Sequence, residues 1–295
     1  FGYGVNDPAI MKKSDGKLLL RFALLEVVES SNRNKIGNRL LSHRPVHGLV
    51  ASFKSNVILE SSNVGKTWNQ IGTIESNIFP ASCSREPIVE LEDKSLIVSM
   101  YNGAPQRSDE SYILKSFDGG KTWGDKCLIA SDVKGSLGQH FGINFNETSI
   151  LNLGDGELNA MIRSDENFKT ESDEFIPVGG VGELMMSKSF DAGLSWFPVQ
   201  KTGLWGQPAH QYFLKNGDIV CTYGYRKKPY SINASISLNK GLSWSKPIVI
   251  RSDSPIWDMG YPSSIELHEN EIYTTYYFVD NNNIRHIAGS KWKIK

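Results

Sequence analysis

Apolar and polar residues alternate with a period of two along most of this chain, and the alternation comes in pairs. Five segments share one layout, an alternating run, a tight turn and a second alternating run. They are DPAIMKKSDGKLLLRFAL (7–24), REPIVELEDKSLIVSMYN (85–102), NETSILNLGDGELNAMIRS (146–164), AHQYFLKNGDIVCTYGYR (209–226) and GYPSSIELHENEIYTTYYF (260–278). The centres SDG, GDG and NGD supply the positive φ and side-chain-to-backbone bonding of a hairpin turn. No stretch carries a helical period of useful length, so the expected fold class is all-β.

A second repeat is interleaved with the first. SSNVGKTW (61–68), SFDGGKTW (116–123), SFDAGLSW (189–196) and SLNKGLSW (237–244) fit the template Ser-x-Asp/Asn-x-Gly-x-Thr/Ser-Trp. Asp or Asn closes an Asx-turn, Gly takes a left-handed backbone, and Trp is a large plug between neighbouring units. The tryptophans fall at 68, 123, 196 and 244, with an echo, AGSKW, ending at Trp292. That spacing matches four-stranded propeller blades of roughly 40–50 residues. Five hairpin units predict a β-propeller of five blades, with room for a sixth, degenerate one in the first segment or in 124–196. The N-terminal strand is expected to close the last blade. Each blade needs neighbours on both faces, so residues 1–295 are expected to form a single domain.

Composition narrows the function without naming it. The 32 basic and 32 acidic residues cancel, so no global charge draws nucleic acid or an anionic membrane. No apolar run approaches the roughly 20 residues of a membrane helix. Cys83, Cys127 and Cys221 are too few and too scattered for a disulfide framework and are expected to be buried thiols. No phosphate cradle, dinucleotide fingerprint or metal-ligand spacing is present, and no cofactor or metal is expected.

In a propeller the first strand of each unit lines the central axis, and ligands bind at one mouth of it. The strand starts read Asn6-Asp7-Pro8, Arg85-Glu86-Pro87, Asn146-Glu147, His210-Gln211 and Asp258-Met259-Gly260-Tyr261-Pro262, with Arg163 and Arg226 ending two second strands. Charged and polar groups thus gather where a buried strand would otherwise be apolar. Aromatic residues accompany them at Trp205, Tyr223, Tyr225, Tyr230 and Trp257. The polar segment 163–175 reads as an excursion between strands.

The Ser-x-Asp-x-Gly-x-Thr-Trp boxes resemble those of the sialidase superfamily (Asp-box or BNR repeats) over nearly the whole chain. The resemblance implies a glycoside hydrolase acting on an acidic sugar outside the cytoplasm, with a Tyr nucleophile, a Glu partner, an Asp acid/base and an arginine clamp. NETSILNLGDGELNAMIRS is similar to the segment that supplies the Glu and one Arg, giving Glu147 and Arg163. GYPSSIEL resembles the nucleophile segment, giving Tyr261. The position of YGYR implies Arg226, and SREPIVEL, similar to the family's Arg-Ile-Pro strand, implies Arg85. APQRSDESYILKS places Asp109 where the acid/base would come, beside Glu110. Asp7, Asp258 and His210 join as substrate-binding candidates. Tyrosine suits a substrate that carries its own carboxylate, because an anionic nucleophile would be repelled. Arginine suits the clamp because its planar fork meets a carboxylate with two bonds.

The family has six blades where five are counted, and its Arg-Ile-Pro strand opens the first blade, where this chain has Asn6. Two other readings therefore stay open. In one, Asp7, Glu86 and Glu147 form the carboxylate set of a five-bladed glycosidase, with Glu147 as acid and Asp7 as base or nucleophile. In the other, the propeller binds carbohydrate through its aromatic mouth and catalyses nothing.

Overall fold

The computed structural model describes residues 2–36, 48–75, 82–102, 110–131, 143–169, 175–177 and 182–294. The fold is nearly all-β, and the described residues form five sheets arranged as the blades of a propeller. The first blade runs β1 (Gly2–Lys12), β2 (Leu18–Glu29), β3 (Leu49–Ser61) and β4 (Asn69–Ile74). A 3-10 turn at Ser30–Asn32 and one α-helical turn, Arg33–Ile36, follow β2. In the second blade the innermost strand is split into β5 (Ser82–Cys83) and β6 (Val89–Glu90), and both pair with β7 (Leu96–Asn102); β8 (Ser111–Ser116) and β9 (Gly124–Ala130) complete it.

The third blade is β10 (Ile143–Gly154), β11 (Glu157–Lys169), β13 (Glu183–Ser189) and β14 (Gln200–Trp205), with β12 (Phe175–Pro177) paired to the end of β11. The fourth is β15 (Ala209–Phe213), β16 (Ile219–Tyr225), β17 (Ser231–Ser237) and β18 (Ile248–Arg251). The fifth is β19 (Gly260–His268), β20 (Glu271–Val279) and β21 (Arg285–Lys293).

Three expectations change. The N-terminal strand does not close the last blade; β1 pairs with β2 in register from Gly2↔Val27 to Lys12↔Leu18 and is the innermost strand of the first. The last blade accordingly has three strands among the described residues. The polar segment after Arg163 is not a plain excursion, because β11 continues through it to Lys169 and pairs there with β12. A strand carrying charged residues still satisfies its backbone when a second strand lies beside it.

The core lies between blades. Leu19 and Ile58 of the first blade pack with Leu96, Val98 and Met100 of the second, and Trp123 lies against the same cluster. Trp196 packs on the cluster between the second and third blades, Trp244 on that between the third and fourth, and Trp292 on that between the fourth and fifth. Each of these tryptophans thus plugs its blade onto the preceding one, as the repeat led us to expect. Truncating the large apolar members of such clusters costs about 2–5 kcal/mol each. Among the described residues no buried cluster joins the last blade to the first, and Val5 and Ile10 on one side and Ile265 and Ile287 on the other stay exposed.

The eight-residue boxes connect the third and fourth strands of their blades. Antiparallel order puts them at the end opposite the starts of the inner strands. In each, the Ser hydroxyl accepts from the Gly amide, at 2.9 Å for Ser61, Ser116 and Ser189 and 2.8 Å for Ser237. The Asp or Asn oxygen accepts from the Thr or Ser amide at 2.9 Å in all four. The box is a self-contained turn.

Candidate active site

At the opposite end, several inner strands lose their regular pairing at the same level. The β1–β2 register slips between Asn6 and Ala9, the β10–β11 register between Phe145 and Thr148, and the β19–β20 register between Gly260 and Ser263. The residues left out of the ladders include Asp7, Glu147 and Tyr261. In the second blade Arg85 and Glu86 occupy the break between β5 and β6. A bulge re-aims the side chain it carries, and here the bulged residues line one cleft of about 890 Å³. Asp7 and Tyr261 both sit at positive φ (48° and 54°) and both precede a proline. That backbone is unfavourable for either residue, and strain of this kind persists only where surrounding structure holds it.

The centre of the cleft is a buried cluster. The Tyr261 hydroxyl donates to Glu147 Oε1 at 2.5 Å. Arg163 NH1 donates to Glu147 Oε2 at 2.7 Å and lies 3.5 Å from the Tyr261 oxygen, while its Nε donates to Asp165 Oδ2 at 2.9 Å. The Arg85 guanidinium lies 4.7 Å from the Tyr261 ring centre, and that of Arg226 lies 5.7 Å from it. Three cations therefore surround one phenol.

Their free donors differ. Arg85 is committed internally, to Glu86, to the Ala209 carbonyl at 3.1 Å and to the Pro262 carbonyl at 3.3 Å. It ties three blades together at the axis. Arg226 donates from Nε to the Met259 carbonyl and from NH2 to the Tyr277 hydroxyl. Among the described residues no carboxylate is paired with it, and the Trp257 ring centre lies 5.5 Å from its guanidinium.

Electrostatics separates the two facing carboxylates. Burial pushes the Asp7 carboxyl up to about 6, with the Glu147 charge adding to the rise and Arg21 and Arg85 opposing it. Burial acts on Glu147 as well, but Arg163, Arg85 and the hydrogen bonds from Tyr261 and Arg163 outweigh it and hold that carboxyl below the usual glutamate range. Below about pH 6 Asp7 holds its proton while Glu147 is already an acceptor. Burial and the Glu147 charge raise the Tyr261 phenol far above its ordinary value, so the shared proton rests on tyrosine. His210 is buried and held neutral, at about 3, by burial and by Arg85. Its Nδ1 accepts from the Ser264 amide at 3.3 Å, which leaves the ring proton on Nε2.

The remaining sequence candidates fall as follows. Asp258 accepts from the Tyr277 hydroxyl at 2.6 Å and pairs with Arg285. Asp109 lies outside the described residues. Tyr223 does not belong to the mouth: it is fully buried and bonds Ser235 in the core. Cys83 and Cys221 are buried, while Cys127 is only half-buried. Sequence reading missed Asp165 and Tyr277. A signal existed for Asp165, which stands two residues after Arg163 and so on the same face of its strand. Among the described residues no His, Cys, Asp or Glu group of three or more is arranged to hold a metal ion.

A family model for the BNR repeat-like domain matches residues 2–274. The chain belongs to that family. No curated protein matches this BNR repeat-like chain. Among solved structures, a protein of unknown function from Dyadobacter fermentans is 23% identical and superposes with a TM-score of 0.77, over 99% of this chain and 77% of that one. A K499G mutant of the NanB sialidase from Streptococcus pneumoniae is 13% identical (TM-score 0.63), over 99% of this chain and 56% of the other. The Penicillium chrysogenum alpha-L-arabinanase, solved with arabinobiose, is 14% identical (TM-score 0.57), over 98% and 93%. This BNR repeat-like chain spans little more than half the length of the NanB sialidase, and at these identities the likenesses show the shared fold alone.

Proposed function

We propose that this BNR repeat-like propeller is a glycoside hydrolase with Tyr261 as nucleophile, Glu147 as its base and Asp7 as general acid, acting on a sugar that carries a carboxylate. The observation that carries the reading is the 2.5 Å Tyr261–Glu147 hydrogen bond, set among three guanidiniums. In the first step the Tyr261 proton passes to Glu147 as the phenol oxygen bonds to the anomeric carbon. The bond to the leaving oxygen breaks, and that oxygen takes the Asp7 proton. In the second step Asp7 removes a proton from water, the water oxygen replaces Tyr261, and Glu147 returns its proton to the phenol. Two displacements retain the anomeric configuration. Arg226, with no carboxylate paired to it among the described residues, and Arg163 would receive the substrate's carboxylate. Both lie close to Tyr261, as a shared carboxylate requires.

The test is release of free acidic sugar from sialylated and uronate-containing glycans, with Tyr261→Phe beside the parent. Release by the parent that collapses in the variant supports the reading. Release that survives in Tyr261→Phe would discard the tyrosine nucleophile.

The split between a raised Asp7 and an ionised Glu147 also favours a second reading, a two-carboxylate glycosidase acting on a neutral sugar with Asp7 as acid and Glu147 as base or nucleophile. Cleavage of neutral furanosides that is abolished by Glu147→Gln and indifferent to Tyr261→Phe would favour it over the first.

A further inference from the structure

Asp165 is used by neither step above, yet it is 4% exposed, and among the described residues each of its hydrogen bonds leads to the site. It stands on β11 two residues beyond Arg163. Its Oδ2 accepts from Arg163 Nε at 2.9 Å and from Asn146 Nδ2 at 3.1 Å, and its Oδ1 accepts from Gln207 Nε2 at 3.1 Å. Asn146 is the neighbour of Glu147 in the β10 bulge. Gln207 belongs to the next blade, where its amide donates to the Gly224 carbonyl two residues before Arg226. One carboxylate therefore joins the bulge that carries the base, the strand that carries Arg163 and the segment beside Arg226.

We propose that Asp165 is a positioning residue: it fixes the Nε edge of Arg163 so that NH1 stays on Glu147 and beside the Tyr261 oxygen. This rests on the functional reading above only for the effect on turnover; the hold on Glu147 stands on geometry alone. An unanchored guanidinium could turn about its stem and leave Glu147 buried without its main cation, which is the arrangement that raises a carboxyl. Anchoring of a reactive group by a buried partner is the general device by which a site keeps its geometry.

Two variants separate positioning from general stability. In Asp165→Ala the anchor is gone. In Asp165→Asn an oxygen can still face Arg163 and Asn146, with the Gln207 amide turning over to accept from the new amide. The primary readout needs no substrate: the 13C titration of the Glu147 carboxyl, whose charged and titratable neighbours are Arg163, Arg85, Asp7, Glu86, Tyr101 and Tyr261. Asp165→Ala is expected to raise its midpoint by about one unit, a tenfold change in proton affinity, and Asp165→Asn to leave it at or below the parent value. If the parent releases sugar, kcat is expected to fall about 10–100-fold in Asp165→Ala, with recovery in Asp165→Asn. Equal losses of thermal stability in both variants with an unmoved Glu147 midpoint would overturn the proposal. Should Asp165→Ala fail to fold, the 15N-resolved Nε–H of Arg163 in the parent decides. Strong protection from exchange supports the anchor, and exchange at the free rate removes it. A parent inactive on every glycan leaves the titration intact, so loss of the enzymatic reading and loss of this one remain distinguishable.

Discussion

The two ends of the blades solve opposite problems with the same strands. At the box end, each turn satisfies itself: the Ser and the Asp or Asn bond amides within four residues in the chain, four times over. At the mouth, Asp7, Arg85, Glu147, Arg163 and Tyr261 hold positions set by partners far away in sequence, as the Tyr261–Glu147 bond across 114 residues illustrates. The first end is local and repeated, and it too holds left-handed backbone, at Val64, Ala192 and Lys240 (φ 59°, 58° and 57°). The second is long-range, unrepeated and strained at Asp7 and Tyr261. Substitutions at the mouth should therefore change chemistry with modest or even favourable effects on stability, while substitutions in the boxes should do the reverse.

The largest effect is expected for Tyr261→Phe and Glu147→Gln. Under the proposed mechanism each lowers kcat by roughly 10³-fold or more, and the double variant loses little beyond either single one, because nucleophile and base act as a unit. Additive losses in a double-mutant cycle would show two independent roles instead. The pH profile sharpens this further. Activity needs Glu147 ionised and Asp7 protonated, so kcat/KM is expected to fall as pH rises through about 6, and to fall again at low pH below the usual glutamate range.

Asp7→Asn comes next, and its sign is the informative part. The folded value of about 6 lies above the reference 3.8, so the protonated group contributes stability that is full below 3.8 and is lost as pH rises through 6. Above that, the buried charge weakens the fold by about 3 kcal/mol. Asn carries no charge and tolerates the left-handed backbone at this position better than most residues. Asp7→Asn is thus expected to raise Tm by several degrees at pH 8, to lose that advantage near pH 4, and to abolish turnover. A variant less stable than the parent at pH 8 would mean that Asp7 is held ionised by Arg21 and Arg85.

Gly193→Ala tests the other end. Gly193 has φ +82°, and a Cβ there would meet Ile113 Cδ1 of the preceding blade at 2.7 Å. Left-handed strain and overpacking against a buried side chain together are expected to lower stability by about 2 kcal/mol, read as a lowered Tm with an unchanged kcat. Gly119, at φ +77° but with open space around it, provides the control, since there only the backbone term applies.

The contrast also explains what was legible in the sequence. The boxes could be read because each carries its whole explanation in eight residues. The hairpin units could be read because alternation and turn chemistry are local signals, and the inner strand starts followed from them. Glu147, Arg163, Arg226 and Tyr261 were named through a resemblance, but their convergence depends on the curvature of the propeller. Asp165 and Tyr277 were missed because their roles are defined by partners on other strands or blades. The closure of the last blade was misread because strand pairing is decided by which neighbour lies closer. β2 follows β1 after a five-residue turn, so pairing with β2 closes the shortest loop and sets β1 as the innermost strand of the first blade.

The smallest effect is expected for Asp118→Asn, and it sharpens the comparison because the chain already contains its own control. The boxes at 116 and 189 carry Asp, while those at 61 and 237 carry Asn in the same place with the same 2.9 Å bond. The turn therefore needs an acceptor and not a charge. The hydrogen bonds from Thr122, side chain and backbone, hold the Asp118 carboxyl well below the usual range, and the corresponding bonds from Ser195 hold Asp191 at about 2. A depressed folded value contributes stability that is full above 3.8 and is lost as pH falls toward 2. Both groups are solvent-exposed, which limits the contribution. At pH 7 the parent and Asp118→Asn are expected to melt within about a degree of each other, since surface changes away from buried networks are usually near neutral. Between pH 4 and pH 2 the parent should lose Tm faster, and the double variant Asp118→Asn with Asp191→Asn faster protection still against that loss. Identical acid slopes in all three proteins would show that the box carboxylates are as inert as their neighbours' amides, and that the acid sensitivity of the molecule resides outside the boxes.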